Sequence, residues 1–185
     1  MIECKNLCFS YGENEVIKNF SARFEDGERV CIKGESGKGK TTLLRLICSL
    51  EKPESGTVTL GAPSKIGVAF QEDRLLSWMT AKENVQLVSD EKAAILWLVA
   101  FGLEESLDKY PSQLSGGMRR RVALARAVSC EPDVLILDEA FKGLDEKLRK
   151  RIISMLIGHF SKRLIIFTSH DPKEIELFST RTVEL

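Results

Sequence analysis

Residues 34–42 read GESGKGKTT, three glycines running into a lysine and two hydroxyls. Gly34, Gly37 and Gly39 let the backbone adopt positive φ and approach a ligand with no Cβ in the way. The amides of Gly34, Glu35, Ser36, Gly37, Lys38 and Gly39 can then converge with the positive end of a following helix into a nest for a polyanion. In the spacing Gly34-x-x-x-x-Gly39-Lys40-Thr41, Lys40 reaches terminal phosphates and the Thr41 hydroxyl holds Mg²⁺, with Thr42 a second hydroxyl in a more structural role. Further along, Asp138-Glu139 closes the apolar run Val134–Leu137. Carboxylates at the C-terminal end of a buried strand stand where parallel sheets place their ligands. There Asp138 can orient Mg²⁺ or its water, and Glu139 can polarise an attacking water. A third stretch, Leu114-Ser-Gly-Gly-Met118, runs directly into Arg119–Arg126, which has helix character. Its glycines therefore enter a helix N-terminus with free amides, a second anion site in one chain.

These groups need elements to hold them. Glu28–Lys33 alternates as a strand and Thr41–Cys48 has helical spacing, so the glycine loop joins strand to helix, with helix expected from Lys40 to about Leu50. Alternation near residues 2–9 and 16–24 predicts further N-terminal strands, followed by short strands at Thr57–Leu60 and Lys65–Phe70. From Thr80 to about Ala127 the pattern is mostly helical, broken at Gly102 and Tyr110-Pro111. Strand then alternates with helix again: Val134–Leu137, Lys147–Phe160 and Arg163–Thr168. Fully apolar strands between helices imply a parallel sheet covered on both faces. The expectation is a nucleotide-binding α/β core over about 1–71 and 129–185, with a helical subdomain inserted at about 72–128.

With 27 basic and 27 acidic side chains in 185 residues, the chain carries no net electrostatic footprint for nucleic acid, and no nucleic-acid partner is expected. Five scattered cysteines without a CxxC pair argue against a metal cluster and for buried, reduced thiols in a cytosolic protein. The segment MIECKNLCFS lacks the apolar core of a signal peptide, and the longest apolar run, Ile95–Phe101, is too short to span a bilayer. Service to a membrane would require a partner.

The stretch LSGGM followed by RRRVALARA resembles the signature of ATP-binding-cassette (ABC) ATPases. Seven features stand in the family's order from Tyr11 to Asp171: an aromatic at Tyr11, the phosphate loop, Gln71 after a strand, the signature, Asp138-Glu139, Gly143-Leu-Asp145, and His170 after a strand. The resemblance implies a P-loop NTPase (RecA-like) α/β core with a parallel sheet, a small N-terminal antiparallel β region and the helical subdomain. It implies that Tyr11 stacks on adenine and that Gln71 senses Mg²⁺ and γ-phosphate. His170 would contact γ-phosphate, joining Glu139, Gln71 and Lys40 as the catalytic set. Ser115, Gly116 and Gly117 would bind the γ-phosphate of ATP held by a second copy, and Asp145 would link the two sites. ATP and Mg²⁺ are the expected cofactors, and a head-to-tail dimer forms only with ATP between its halves.

The segments Gln71–Val85 and Asp138–Asp145 look like the branch that serves nitrate, sulfonate, taurine and thiamine-precursor importers. That implies a peripheral ATPase subunit on the cytoplasmic face, transmembrane permease subunits and a separate solute-binding protein. Residues 72–88, with Leu75, Leu76, Trp78 and Met79, are expected to present an apolar patch to the permease. The alternative is a soluble ABC ATPase of DNA repair or translation, disfavoured because the span from Gln71 to Leu114 leaves no room for a coiled-coil insertion. Departures from the family pattern are Ala140, Lys142 and Arg120, the last replacing a common glutamine and expected to touch phosphate or be solvated. The brief connection Leu60–Lys65 suggests a trimmed N-terminal sheet.

Overall fold

A computed structural model describes residues 1–61 and 65–185; the middle of the brief connection Leu60–Lys65, on which the expectation of a trimmed sheet rested, lies outside them. Strands β1 (Ile2–Tyr11) and β2 (Asn14–Phe24) form an antiparallel hairpin, and β3 (Arg29–Lys33) leads into the glycine loop and α1 (Lys40–Ile47). Next come β4 (Ser55–Leu60), β5 (Ile66–Ala69), α2 (Ala81–Gln86), α3 (Glu91–Ala100) and α4 (Gly116–Ser129). The chain closes with β6 (Val134–Asp138), α5 (Glu146–His159), β7 (Leu164–Thr168), α6 (Pro172–Phe178) and β8 (Arg181–Glu184).

Two sheets result. β2-β1-β4 is antiparallel, and β5-β6-β7-β3-β8 is parallel throughout. Along the parallel strands successive side chains enter opposite cores, as the two-residue period requires. Cys31, Leu135, Leu137, Ile165 and Phe167 face α3, α4, α5 and α6, together with Trp97, Val122, Ile152 and Phe178. Val30, Ile32, Val134, Ile136, Leu164 and Ile166 face α1 and the antiparallel sheet, where Leu43, Leu44, Ile17 and Phe24 are buried. Coverage of both faces explains why these strands read as unbroken apolar runs.

Helix α1 ends at Ile47, three residues short of the expected boundary. Ser49 takes φ 56°, the Leu50 N–H reaches back to the Arg45 carbonyl and the Ser49 N–H to that of Leu46, a Schellman closure. α6 and β8 are additions to the sequence reading. Pro172 opens α6, and β8 is a short, mostly exposed edge strand whose parallel partner β3 lies about 150 residues earlier. The five thiols are free, but only Cys4 and Cys31 are fully buried, Cys8, Cys48 and Cys130 being partly exposed; desolvation pushes Cys4 and Cys48 up to about 12 and Cys31 up to about 11, so these three remain protonated. Among the described residues no helix is long and apolar enough to cross a membrane.

Helix α4 is locked to the sheet at one glycine. A Cβ on Gly67 in β5 would lie 2.1 Å from the Ala127 carbonyl oxygen and 2.9 Å from Pro132 Cγ. The obstacle is backbone that cannot rotate away, so Gly67→Ala is expected to destabilise the fold by about 3 kcal/mol. A denaturant titration checks this; an unchanged midpoint would mean that α4 is not seated as described.

Candidate functional site

All strands of the main sheet are parallel, so their C-terminal ends share one edge, and the loops after β3, β5, β6 and β7 meet there. A cleft of about 330 Å³ opens at that edge. It is lined by Tyr11, Asn14, Val16, Ser36, Gly37, Gly39, Lys40, Thr41, Thr42, Gln71, Asp138, Glu139 and His170. Residues spread over 160 positions of sequence thus converge on one wall-to-wall site.

The glycine loop has the conformation its composition predicts. Gly39 caps α1 at φ 94°, and a Cβ there would meet Val16 Cγ1 at 2.6 Å, so both backbone and space exclude a larger residue. Lys40, only 7% exposed, curls back over the loop. Its Nζ donates to the Gly34 and Glu35 carbonyls at 2.8 and 2.9 Å, leaving one ammonium N–H for an anion. Gly34, Glu35 and Lys38 are part of the same loop without lining the cleft.

Asp138 is the end of β6 and 2% exposed. Thr41 Oγ1 donates to its Oδ2 and Thr168 Oγ1 to its Oδ1, each at 2.6 Å. Among the described residues it has no cationic partner. Thr168, at the end of β7, also accepts from the Glu139 N–H at 3.0 Å, tying β6 to β7 across the site. Glu139 adopts φ 47°, unusual for a residue with a Cβ, and this turns its side chain into the cleft. Lys142 Nζ donates to one carboxylate oxygen at 3.0 Å, and His170 Nε2 stands 3.4 Å from the other. Tyr11, half-exposed at the cleft mouth, is steadied edge-on by Phe9 at 4.9 Å between ring centroids.

The second anion site is separate. Ser115 is exposed and caps α4, its Oγ accepting from the Met118 N–H at 3.3 Å. The amides of Gly116 and Gly117 begin the helix and precede any intrahelical partner. Asp145 caps α5 by accepting from the Leu148 N–H at 2.9 Å. None of Ser115, Gly116, Gly117 and Asp145 lines the cleft; Gly117 instead packs beside the Gly143 carbonyl, so signature and Asp145 loop lie against each other.

Two residues and one segment need correction or addition. Arg120 neither touches the phosphate cleft nor is solvated: it bonds Asp73 and the carbonyls of Gln71 and Glu139. Thr168 was not singled out by sequence, although its hydroxyl at the end of an apolar strand, two positions before His170, was the available signal. In the segment 72–88, Trp78 is 71% exposed, but Leu75 packs on the core. Leu76 and Met79 are partly buried, because the buried Asn84 amide binds the backbone of both. Trp78, Leu87 and Val88 are the exposed apolar residues of that stretch.

Residues 17–142 match the family model described as ABC transporter. The nitrate import ATP-binding protein NrtD of Synechocystis sp. is 36% identical over 191 residues, covering 94% of this chain and 72% of that protein. The spermidine/putrescine import ATP-binding protein PotA of Haemophilus influenzae is 39% identical over 206 residues, covering all of this chain, which spans 55% of the length of that relative. A solved dimeric ATP-binding cassette in a post-hydrolysis state, bound to ADP and Pi, superposes with a TM-score of 0.91 at 29% identity, covering 100% of this chain and 94% of its own. The likeness extends over sequence and fold, and the chain belongs to the ABC transporter family.

Proposed function

We propose that the chain is the ATP-hydrolysing subunit of an importer, working as a head-to-tail pair with ATP between the two copies, on the cytoplasmic face beneath permease subunits. The observation that carries this reading is the split of the anion sites. One surface holds Lys40, Thr41, Asp138, Glu139, Gln71 and His170, while Ser115–Gly117 sit outside that cleft, with Gly117 beside the Gly143 carbonyl of the loop that leads to Asp145. Two chains in head-to-tail order would set each incomplete site against the other. The triphosphate then holds the pair together, and loss of the γ-phosphate releases it.

Within the cleft, the glycine-loop amides and Lys40 would hold the phosphates, and the Glu139 carboxylate would accept a proton from the water as its oxygen attacks the γ-phosphate. His170, close to Glu139, would hold water and γ-phosphate in register, and Tyr11 would stack on the base. The residues fit Mg²⁺. Asp138 is a buried carboxylate with no cationic partner, beside a Thr41 hydroxyl, and among the described residues no cluster of three or more metal-ligating side chains surrounds it. Few protein ligands completed by substrate phosphates is the usual arrangement for that ion. When bound, it would neutralise charge on the β- and γ-phosphates.

Import is supported by the nitrate and spermidine/putrescine import roles of the two relatives, and a separate solute-binding protein is part of the same proposal. Exposed Trp78, Leu87 and Val88 offer an apolar surface for a permease. The test is isolation of the chain from native membranes with ATP, followed by identification of co-purifying proteins and assay of phosphate release. Polytopic membrane proteins and ATP turnover are expected; recovery without membrane proteins would remove the transport reading, and absence of turnover would remove the ATPase.

A further inference from the structure

Arg120 stands one turn beyond Ser115–Gly117 on α4, with its side chain only 15% exposed. Its Nε donates to Asp73 Oδ1 at 2.7 Å, Nη2 to the Gln71 carbonyl at 2.6 Å and Nη1 to the Glu139 carbonyl at 3.0 Å. One planar fork is thus divided among the loop after β5 and the end of β6, all from the helix that begins with the signature. Only a guanidinium has five N–H groups in fixed directions over three nitrogens; a glutamine has two, and the three of a lysine ammonium radiate from one atom, so neither matches three acceptors set around a planar fork.

What it holds at Glu139 is specific. The peptide there sits in the left-handed region, a conformation that persists in a non-glycine residue only when its surroundings impose it. Its N–H is fixed by Thr168 and its carbonyl by the Lys142 N–H within its own turn and by Arg120, the one side chain that ties this carbonyl to α4. The neighbouring arginines do other work. Arg119 approaches Asp73 at 3.7 Å from an exposed position, and Arg126 binds the carbonyls of Asp73 and Arg74 without reaching Glu139.

We propose that Arg120 is a positioning residue for hydrolysis, clamping the Gln71 and Glu139 backbones to the signature helix so that seating of α4 against ATP sets the carboxylate that orients water. This deepens the functional reading above and rests on it. Without the fork, the Glu139 peptide relaxes and the carboxylate loses its aim, while the phosphate-binding loop is untouched.

The test compares Arg120→Met, Arg120→Lys and Arg120→Gln with the wild-type full chain. In Arg120→Met, kcat for ATP is expected to fall about 10- to 100-fold with KM for ATP within about twofold, the mark of misplacement rather than lost binding. Arg120→Lys and Arg120→Gln are expected to recover part of that loss. Hydrogen exchange followed by mass spectrometry is expected to rise about tenfold over Gln71–Arg74 and Glu139–Lys142 while Val122–Val128 stays protected. Wild-type kcat in Arg120→Met overturns the inference, as does a rise of exchange throughout α4 that parallels the loss of turnover, which would make the residue a general stabiliser. If the wild-type chain itself does not hydrolyse ATP, the functional reading fails on its own; unchanged exchange at both segments in Arg120→Met then overturns the clamp separately.

Discussion

Glu139→Gln is expected to bind ATP normally, to turn it over about a thousandfold more slowly than the wild type, and to accumulate as an ATP-dependent dimer. The substitution keeps size and shape, so the φ 47° backbone, the Thr168 contact and the Arg120 contact all remain. What disappears is the acceptor capacity of a carboxylate whose two oxygens face His170 and Lys142 inside the cleft. An amide cannot take up a proton from water, so the γ-phosphate persists and the pair stays closed. Single-turnover phosphate release and sedimentation with ATP provide the two measurements. Undiminished turnover would show that another group is the base; slow turnover without a dimer would show that closure is not driven by the nucleotide in the way proposed.

Ser115→Arg acts on the other half of the composite site. It is expected to reduce hydrolysis at least about a hundredfold while leaving ATP affinity of the single chain unchanged, because Ser115 lies outside the cleft that contains Lys40. An arginine at that exposed corner fills the space a partner's γ-phosphate would occupy and covers the amides of Gly116 and Gly117. The lost helix cap costs about 1 kcal/mol of stability, which lowers the melting temperature slightly without abolishing the fold. Fluorescent-nucleotide binding separates the two halves of the expectation. Full hydrolysis in this variant would mean that each chain completes its own site, and weakened binding to the monomer would place the signature within the primary cleft.

Much of this site was legible because its chemistry is encoded in short segments. A nine-residue loop with glycines at set intervals dictates its own backbone, a serine before two glycines and an amphipathic helix caps that helix, and two carboxylates after four apolar residues stop at a strand end. Alternation, apolar runs and helical spacing likewise marked β1 to β7, α1, α4 and α5, since burial imposes a pattern on any chain. The cysteines and the neutral charge bounded the class in the same local way.

Other features required partners far along the chain. Arg120 reads as a surface base in a polar helix start, and its acceptors are 19 and 49 positions away, so only the packing of α4 against β5 brings them together. Thr168 acquires its role because β6 and β7 are neighbours in register, Asp138 opposite Thr168. Leu75, Leu76, Trp78 and Met79 look equivalent as letters, yet the Asn84 amide folds their backbone so that Trp78 alone among them is exposed. α6 and β8 went unread since a seven-residue helix and a four-residue edge strand carry little pattern of their own and are stabilised by what they dock on. The sequence by itself determined which groups could hold a phosphate and orient a water, because such groups act through local backbone geometry. The tertiary structure alone decided which groups hold one another, because hydrogen bonds between distant segments depend on strand order and helix seating, quantities with no local period.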